Sequence, residues 1–144
     1  MDVEQAAITS KRASITITFD GSAGTGAQGA VPIFTVTGDV LVKYITAVVT
    51  VDLKEDAGNP TLSLGVTSGV ADFIAATTAT ALDAGEIWVD TGPDANSVAV
   101  PDLMKDIIVV DNIIGTVAGT NLIDAGAIRF DVYYLPLSSD GLVA

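Results

Sequence analysis

The sequence contains no cysteine and no histidine, and these two absences remove most of the side chains used in enzyme chemistry and metal binding. Without cysteine there is no disulfide framework, no thiolate nucleophile and no cysteine-based metal site. Without histidine there is no Ser-His-Asp triad, no Cys-His pair and no conventional zinc site. A catalytic site would have to use carboxylates or one of only 6 basic residues. We therefore predict that the protein is not an enzyme and holds no cofactor or metal.

Positive charge is scarce, since 18 acidic residues outnumber the 6 basic ones and the formal net charge is −12. A surface of this charge repels phosphate groups, so we expect no nucleic-acid partner. No apolar run is long enough to cross a bilayer, so we expect no membrane partner. Hydrophobic residues make up 49% of the 144 residues. That is enough to build the core of one domain, and it excludes a disordered acidic tail.

The chain does contain the period-two pattern of β-strands. In residues 14–20, the apolar side chains of Ile15, Ile17 and Phe19 share one face. Further strands are predicted over 31–37, 39–53, 61–66, 86–90, 98–103, 107–114 and 127–135. The alanine- and threonine-rich segment 72–85 predicts a loop or a single helical turn. The pattern predicts an all-β protein, a single-domain antiparallel β-sandwich of the jelly-roll type with about eight strands.

The segment before the first predicted strand has a different character. Residues 1–13 show no strong alternation, and they include Lys11 and Arg12, a third of all basic residues. We predict an N-terminal arm over 1–13 and a β-sandwich domain over 14–144. One interpretation of the arm is a frayed terminus. The other is a segment that orders on a partner, with Lys11 and Arg12 as partner-binding residues that pair with acidic groups of a neighbouring subunit.

Two further patterns are interpreted as structural. Residues 24–29 match the dinucleotide-binding pattern G-x-G-x-x-G, which requires a helix after the third glycine. A strand pattern follows instead, so a glycine-rich loop is expected. The acidic residues, including the adjacent Glu55 and Asp56, lack the spacing of a calcium-binding loop. Turn and surface positions are expected for them, with an adventitious calcium site as the alternative.

The sequence Asp90-Thr91-Gly92 resembles the D-T-G signature of retroviral-type aspartic proteases. The resemblance implies that Asp90 and its copy in a second subunit would share a proton and activate water. However, the segment from Asp90 to Ile113-Ile114-Gly115 is too short for the flap hairpin and strands of that family. Pro93 also replaces the small residue that usually follows the signature. We therefore favour a turn that closes a strand, with a protease using Asp90 as a remote alternative.

Five segments carry a resemblance to another family. They are 34–53 (FTVTGDVLVKYITAVVTVDL), 60–66 (PTLSLGV), 74–88 (IAATTATALDAGEIW), 112–121 (NIIGTVAGTN) and 135–141 (LPLSSDG). The chain resembles small virion proteins of tailed bacteriophages, the capsid decoration (cement) proteins. The resemblance implies an all-β domain on the outer face of the phage head, made in the host cytoplasm. Its implied partners are the major capsid protein and copies of itself, with a trimer favoured. A tail or head-fibre component and a carbohydrate-binding β-sandwich module remain alternatives.

Overall fold

The computed structural model describes residues 10–144, which form twelve β-strands and two short 3-10 turns. The strands are β1 (Lys11–Thr18), β2 (Gly29–Phe34), β3 (Val36–Thr37), β4 (Val40–Glu55), β5 (Thr61–Val66), β6 (Gly69–Thr78), β7 (Glu86–Val89), β8 (Gly92–Ala95), β9 (Lys105–Val109), β10 (Ile113–Ala118), β11 (Ile123–Pro136) and β12 (Leu142–Val143). The 3-10 turns are Ala79–Ala81 and Asp102–Met104. Within this described part, no helix is long and apolar enough to cross a membrane. The predicted all-β class is confirmed.

The long strands form two antiparallel sheets. Sheet A has the order β1-β11-β4, with β7 and β9 both paired to β4 and β8 beyond β7. Sheet B has the order β2-β10-β5-β6, and β3 and β12 form a separate two-stranded pair. Eight of these strands make four nested pairs: β1 with β11, β2 with β10, β4 with β9, and β5 with β6. This nesting is the topology of a jelly roll, as the sequence predicted.

The core lies between the inward faces of the two sheets. On β11 the buried residues Ile128, Phe130 and Val132 alternate with outward ones, as expected for a strand with one covered face. Trp88 of sheet A is fully buried, and its Nε1 donates a hydrogen bond to Oγ1 of Thr77 in sheet B at 3.0 Å. Its ring also meets Phe130 edge-on, with the ring centroids 6.5 Å apart. Trp88 therefore joins the two sheets by packing and by a hydrogen bond.

The predicted boundary between arm and domain is wrong at residues 11–13. β1 begins at Lys11 rather than at residue 14, and every residue from Lys11 to Thr18 pairs with β11. Backbone hydrogen bonding to β11 holds these residues in the sheet although their sequence lacks strong alternation. Residues 1–9 lie outside the described part of the chain, so an arm over those residues stays a prediction.

Two other segments differ from their predicted structure. Within segment 72–85, residues 72–78 belong to strand β6 rather than to a loop, and the predicted single helical turn is present as the 3-10 turn Ala79–Ala81. Its pattern was hidden because Phe73 and Ile74 are both buried although they are consecutive. Segment 98–103, predicted as a strand, is a connection in which Val98 and Val100 pack against the core from outside the sheets.

The predicted strand over 107–114 is divided into the end of β9 and the start of β10. Asp111 lies at the break, where its carboxylate accepts hydrogen bonds from the backbone N–H groups of Ser68 and Asn112. An aspartate that binds nearby backbone groups in this way favours a turn over a continued strand.

Candidate functional site on the outer face of sheet A

Four residues lie in register across sheet A, one on each of four neighbouring strands. Arg12 on β1 pairs with Tyr133 on β11, and Tyr133 pairs with Tyr44 on β4. Tyr44 in turn pairs with Lys105 on β9. Directly opposed residues of paired strands project to the same side of a sheet. Two tyrosines flanked by two cations therefore form a row on the outer face.

Tyr44 reaches the outer face because a β-bulge interrupts β4. The register shifts between Tyr133 and Tyr134, so that Lys43 is the extra residue on β4. Val42 before the bulge and Ile45 after it are both fully buried, whereas Tyr44 is 39% exposed. Strict alternation would have placed Tyr44 inward beside Val42, and the bulge turns it outward.

The two tyrosine rings stack against each other across the strands. Their centroids are 4.7 Å apart and their planes are inclined by 31°. Each ring therefore covers part of one face of the other, which leaves less open ring face to solvent than two separate rings would. A sugar-binding platform needs open ring faces, whereas amphipathic tyrosines of this kind are enriched at protein–protein interfaces.

Beside the tyrosine row, a buried carboxylate binds two arginines. Oδ1 of Asp131 accepts hydrogen bonds from Nε and Nη2 of Arg12 at 3.0 and 2.6 Å, and Oδ2 accepts one from Nε of Arg129 at 3.0 Å. Burial alone would raise the pKa of Asp131. Hydrogen bonds from Ser14, Arg12 and Arg129 and the charge of Arg12 outweigh that effect, so the pKa of Asp131 lies below its ordinary value. Asp131 thus stays ionised and orients both guanidinium groups.

Every ion pair found in residues 10–144 lies at this surface. In addition to the two pairs of Asp131, Lys43 binds Asp106 at 2.8 Å and Lys105 lies 3.4 Å from Asp102. Four of the six cations of the chain are therefore gathered here against three carboxylates, although the whole chain carries −12. Asp94 also lies in register with Arg129, through β4 and β7, and Asp72 lines the same cavity as Lys105. Cations and carboxylates therefore nearly balance at this surface, whereas the chain as a whole is strongly acidic.

An apolar row adjoins the tyrosine row. Leu135 pairs with Leu41, and Leu41 pairs with Ile108, whose side chain is 67% exposed. Exposed apolar side chains next to tyrosine and arginine are typical of a protein-binding surface. We call the surface the Tyr–Arg face; it consists of Arg12, Leu41, Lys43, Tyr44, Lys105, Ile108, Arg129 and Tyr133.

The predicted partner-binding residues Lys11 and Arg12 lie on β1 rather than in an arm. Arg12 is held by Asp131 within the same chain, and about half of its side chain is exposed. Lys11 is exposed beside Tyr134. A partner-binding role for both residues stays a prediction, and Arg12 would exert it from the Tyr–Arg face. The other members of that face could not be found from the sequence, because strand register alone brings them together.

The D-T-G sequence forms a hairpin turn. Asp90 and Thr91 link β7 to β8, and Val89 pairs with Gly92 across the turn. The structure thus confirms a turn that closes a strand. Oδ1 of Asp90 is buried without a hydrogen-bond partner. The Ile113–Gly115 segment belongs to β10 in sheet B, on the other sheet of the sandwich.

The remaining motifs have structural positions. The glycine-rich segment 24–29 connects β1 to β2 and leads into a strand, as predicted from the sequence, rather than into a helix. Gly26 has φ +134°, and a side chain there would collide with the carbonyl oxygen of Ile123. Among residues 10–144 no three acidic side chains converge as metal ligands would.

Comparison with known proteins gives no match to any family model, to any curated protein or to any solved structure.

Proposed function

We propose that this protein is a structural virion protein, a capsid decoration (cement) protein that binds the outer face of a tailed-phage head and stabilises it. The observation that carries the proposal is the exposed Tyr–Arg face on an acidic jelly roll whose described residues hold no metal-binding cluster. Tyrosine and arginine contribute most of the binding energy in many protein interfaces. The face therefore favours protein binding over catalysis, and the sequence resemblance supplies the virion setting.

The proposed partners are the major capsid protein and further copies of this chain, in a homo-oligomer for which a trimer is favoured. A protein without cysteine needs no oxidising compartment, which suits assembly in the host cytoplasm. The shell of a head repeats its binding site many times. Weak contacts of each copy with the shell and with its neighbours therefore add up through avidity.

The proposal is tested by titrating purified protein onto expanded heads that lack it and measuring the bound copies by sedimentation. We expect saturation at a fixed number of copies that scales with the number of capsomers. Tyr44→Ala/Tyr133→Ala, which removes the stacked rings, should weaken binding at least about tenfold. Val70→Ala on sheet B removes an exposed apolar side chain elsewhere and should leave binding unchanged. Absence of binding by the wild-type protein would contradict the proposal.

The same titration separates the alternatives. Saturation at a few copies per particle would indicate a tail or head-fibre component instead. A protein that binds an immobilised glycan but does not bind bare heads would indicate a carbohydrate-binding module. In that case Tyr44→Ala should weaken the binding to the glycan.

A further inference from the structure

The end of sheet A away from the nearly neutral Tyr–Arg face is strongly acidic. Glu55 pairs with Ile123, which precedes Asp124, and the carboxylate of Asp52 accepts a hydrogen bond from the backbone N–H of Ala84 at 2.7 Å. Asp56 follows Glu55 in the sequence, and Asp83 and Glu86 lie on either side of Ala84. Six acidic residues therefore belong to this end of the sheet, together with one basic residue, Lys54. We call this region the acidic end; it consists of Asp52, Glu55, Asp56, Asp83, Glu86 and Asp124.

The two regions are separated along the strands of one sheet. On β4, Tyr44 lies eight residues from Asp52, roughly 26 Å along an extended strand, and Arg129 pairs with Val48, four residues or roughly 13 Å from Asp52. No ion pair among residues 10–144 joins the two regions. A single copy therefore cannot bring its own acidic end onto its own Tyr–Arg face. Charge complementarity between them can be satisfied only between copies.

The chemistry of the Tyr–Arg face favours carboxylates as its ligands. Side chains of Lys43 and Lys105 are 39% and 43% exposed, and their ion pairs with surface aspartates are weak enough to be exchanged for others. Tyrosine hydroxyl groups at the ring edges can donate further hydrogen bonds to carboxylates. A nucleic acid would meet the repulsion of the acidic remainder of the chain, whereas the acidic end of another copy is a protein surface of the required charge.

We infer that the Tyr–Arg face of one copy binds the acidic end of a second copy of this chain. The contact specifies the surfaces through which copies meet in the proposed homo-oligomer, and in that respect the inference rests on the proposed function. Because each copy carries both surfaces, the contact can be exchanged reciprocally within a pair or passed around a ring. It also offsets locally the repulsion between chains of net charge −12.

The test is a pair of complementary charge reversals, measured by sedimentation equilibrium without heads. Lys43→Glu/Lys105→Glu reverses the Tyr–Arg face, and Asp56→Lys/Asp124→Lys reverses the acidic end. Wild-type protein should associate reversibly, and association should weaken as NaCl rises from about 0.05 M to about 0.5 M. Each variant alone should associate at least about tenfold more weakly. Mixed in equal amounts, the two variants should associate again, because each retains the surface that the other has lost.

The control is Asp72→Lys/Asp94→Lys, which changes the net charge as much as the acidic-end variant but at exposed positions outside it. It should associate at least as well as the wild type, because it reduces the overall repulsion and adds positive charge beside Lys105 and Arg129 rather than at the acidic end. Circular dichroism should confirm that each variant is folded. The salt dependence of wild-type association tests the inference even if a variant fails to fold. Wild-type protein that stays monomeric at about 1 mM in low salt would overturn the inference, as would variants that associate normally or a mixture that does not associate. Since no heads are used, these results leave the head-binding titration to decide the proposed function separately.

Discussion

Asp131→Asn tests the ion-pair arrangement that shapes the Tyr–Arg face. The substitution keeps the size of the side chain and removes the charge that Arg12 and Arg129 share. Three hydrogen bonds from charged donors reach this carboxylate, at 2.6–3.0 Å, and one such bond contributes about 1.5–3 kcal/mol. Both arginines remain about half exposed, so water replaces part of what they lose. We therefore expect Asp131→Asn to lower the free energy of unfolding by about 2 kcal/mol rather than by three times that amount.

For a domain of this size, 2 kcal/mol corresponds to a decrease in Tm of roughly 4–8 °C. The assay is urea unfolding followed by circular dichroism at neutral pH, together with thermal unfolding. Asp124→Asn is the matched control, because it removes the same charge from an exposed position on the same strand. Its free energy of unfolding should stay within about 0.5 kcal/mol of the wild type. Equal stabilities of Asp131→Asn and Asp124→Asn at pH 7 would show that the bonds of the Asp131 carboxylate to the two arginines do not stabilise the fold.

The difference in the free energy of unfolding between the wild type and Asp131→Asn should depend on pH in a definite direction. The folded-state pKa of Asp131 is lowered, so its ionised form stabilises the folded protein above the unfolded pKa of about 3.9. This contribution is lost as the pH falls below about 4 through the folded-state pKa. The stability gap between wild type and Asp131→Asn should therefore be full at pH 6–7 and shrink in acid. A gap that is unchanged down to about pH 2 would contradict the role assigned to the carboxylate.

Three further perturbations test other parts of the structure. Trp88→Ala removes the fully buried ring that joins the two sheets and should lower the free energy of unfolding by about 3–5 kcal/mol. Urea unfolding measures this loss, and Leu137→Ala is the control at an exposed position. Deleting residues 2–12 removes Arg12, a partner of Asp131, together with the first two residues of β1, and should lower Tm at least as much as Asp131→Asn does. The wild-type protein should show no acid-optimal, pepstatin-sensitive peptidase activity, and Asp90→Asn should cost only about 1 kcal/mol of stability; cleavage that Asp90→Asn abolishes would establish the protease alternative.

The strands that sequence predicts best are those whose ends are marked by turn residues. Residues 61–66 match β5 at both ends, because Asn59-Pro60 precedes the strand and Ser68-Gly69 follows it. The jelly-roll class follows from the number and spacing of such strands, since few topologies accommodate eight of them in one domain.

The Tyr–Arg face depends on features that no local pattern records. Arg12 and Asp131 lie 119 positions apart, and only the pairing of β1 with β11 brings them together. Tyr44 turns outward because one extra residue, Lys43, bulges from β4, and simple alternation predicts the opposite face. Register and bulges are set by packing of the whole sheet, so the site could not be found until the strands were paired.

A cryo-EM reconstruction of expanded heads incubated with the purified protein is the most direct test of the proposed decoration of a capsid shell. We expect additional density on the outer surface at every symmetry-equivalent position of the shell, and the two-sheet fold should fit into it. In that density, Tyr–Arg faces should lie at protein–protein contacts and not towards solvent. Heads without additional density, or density confined to the portal or tail, would rule out the proposed function.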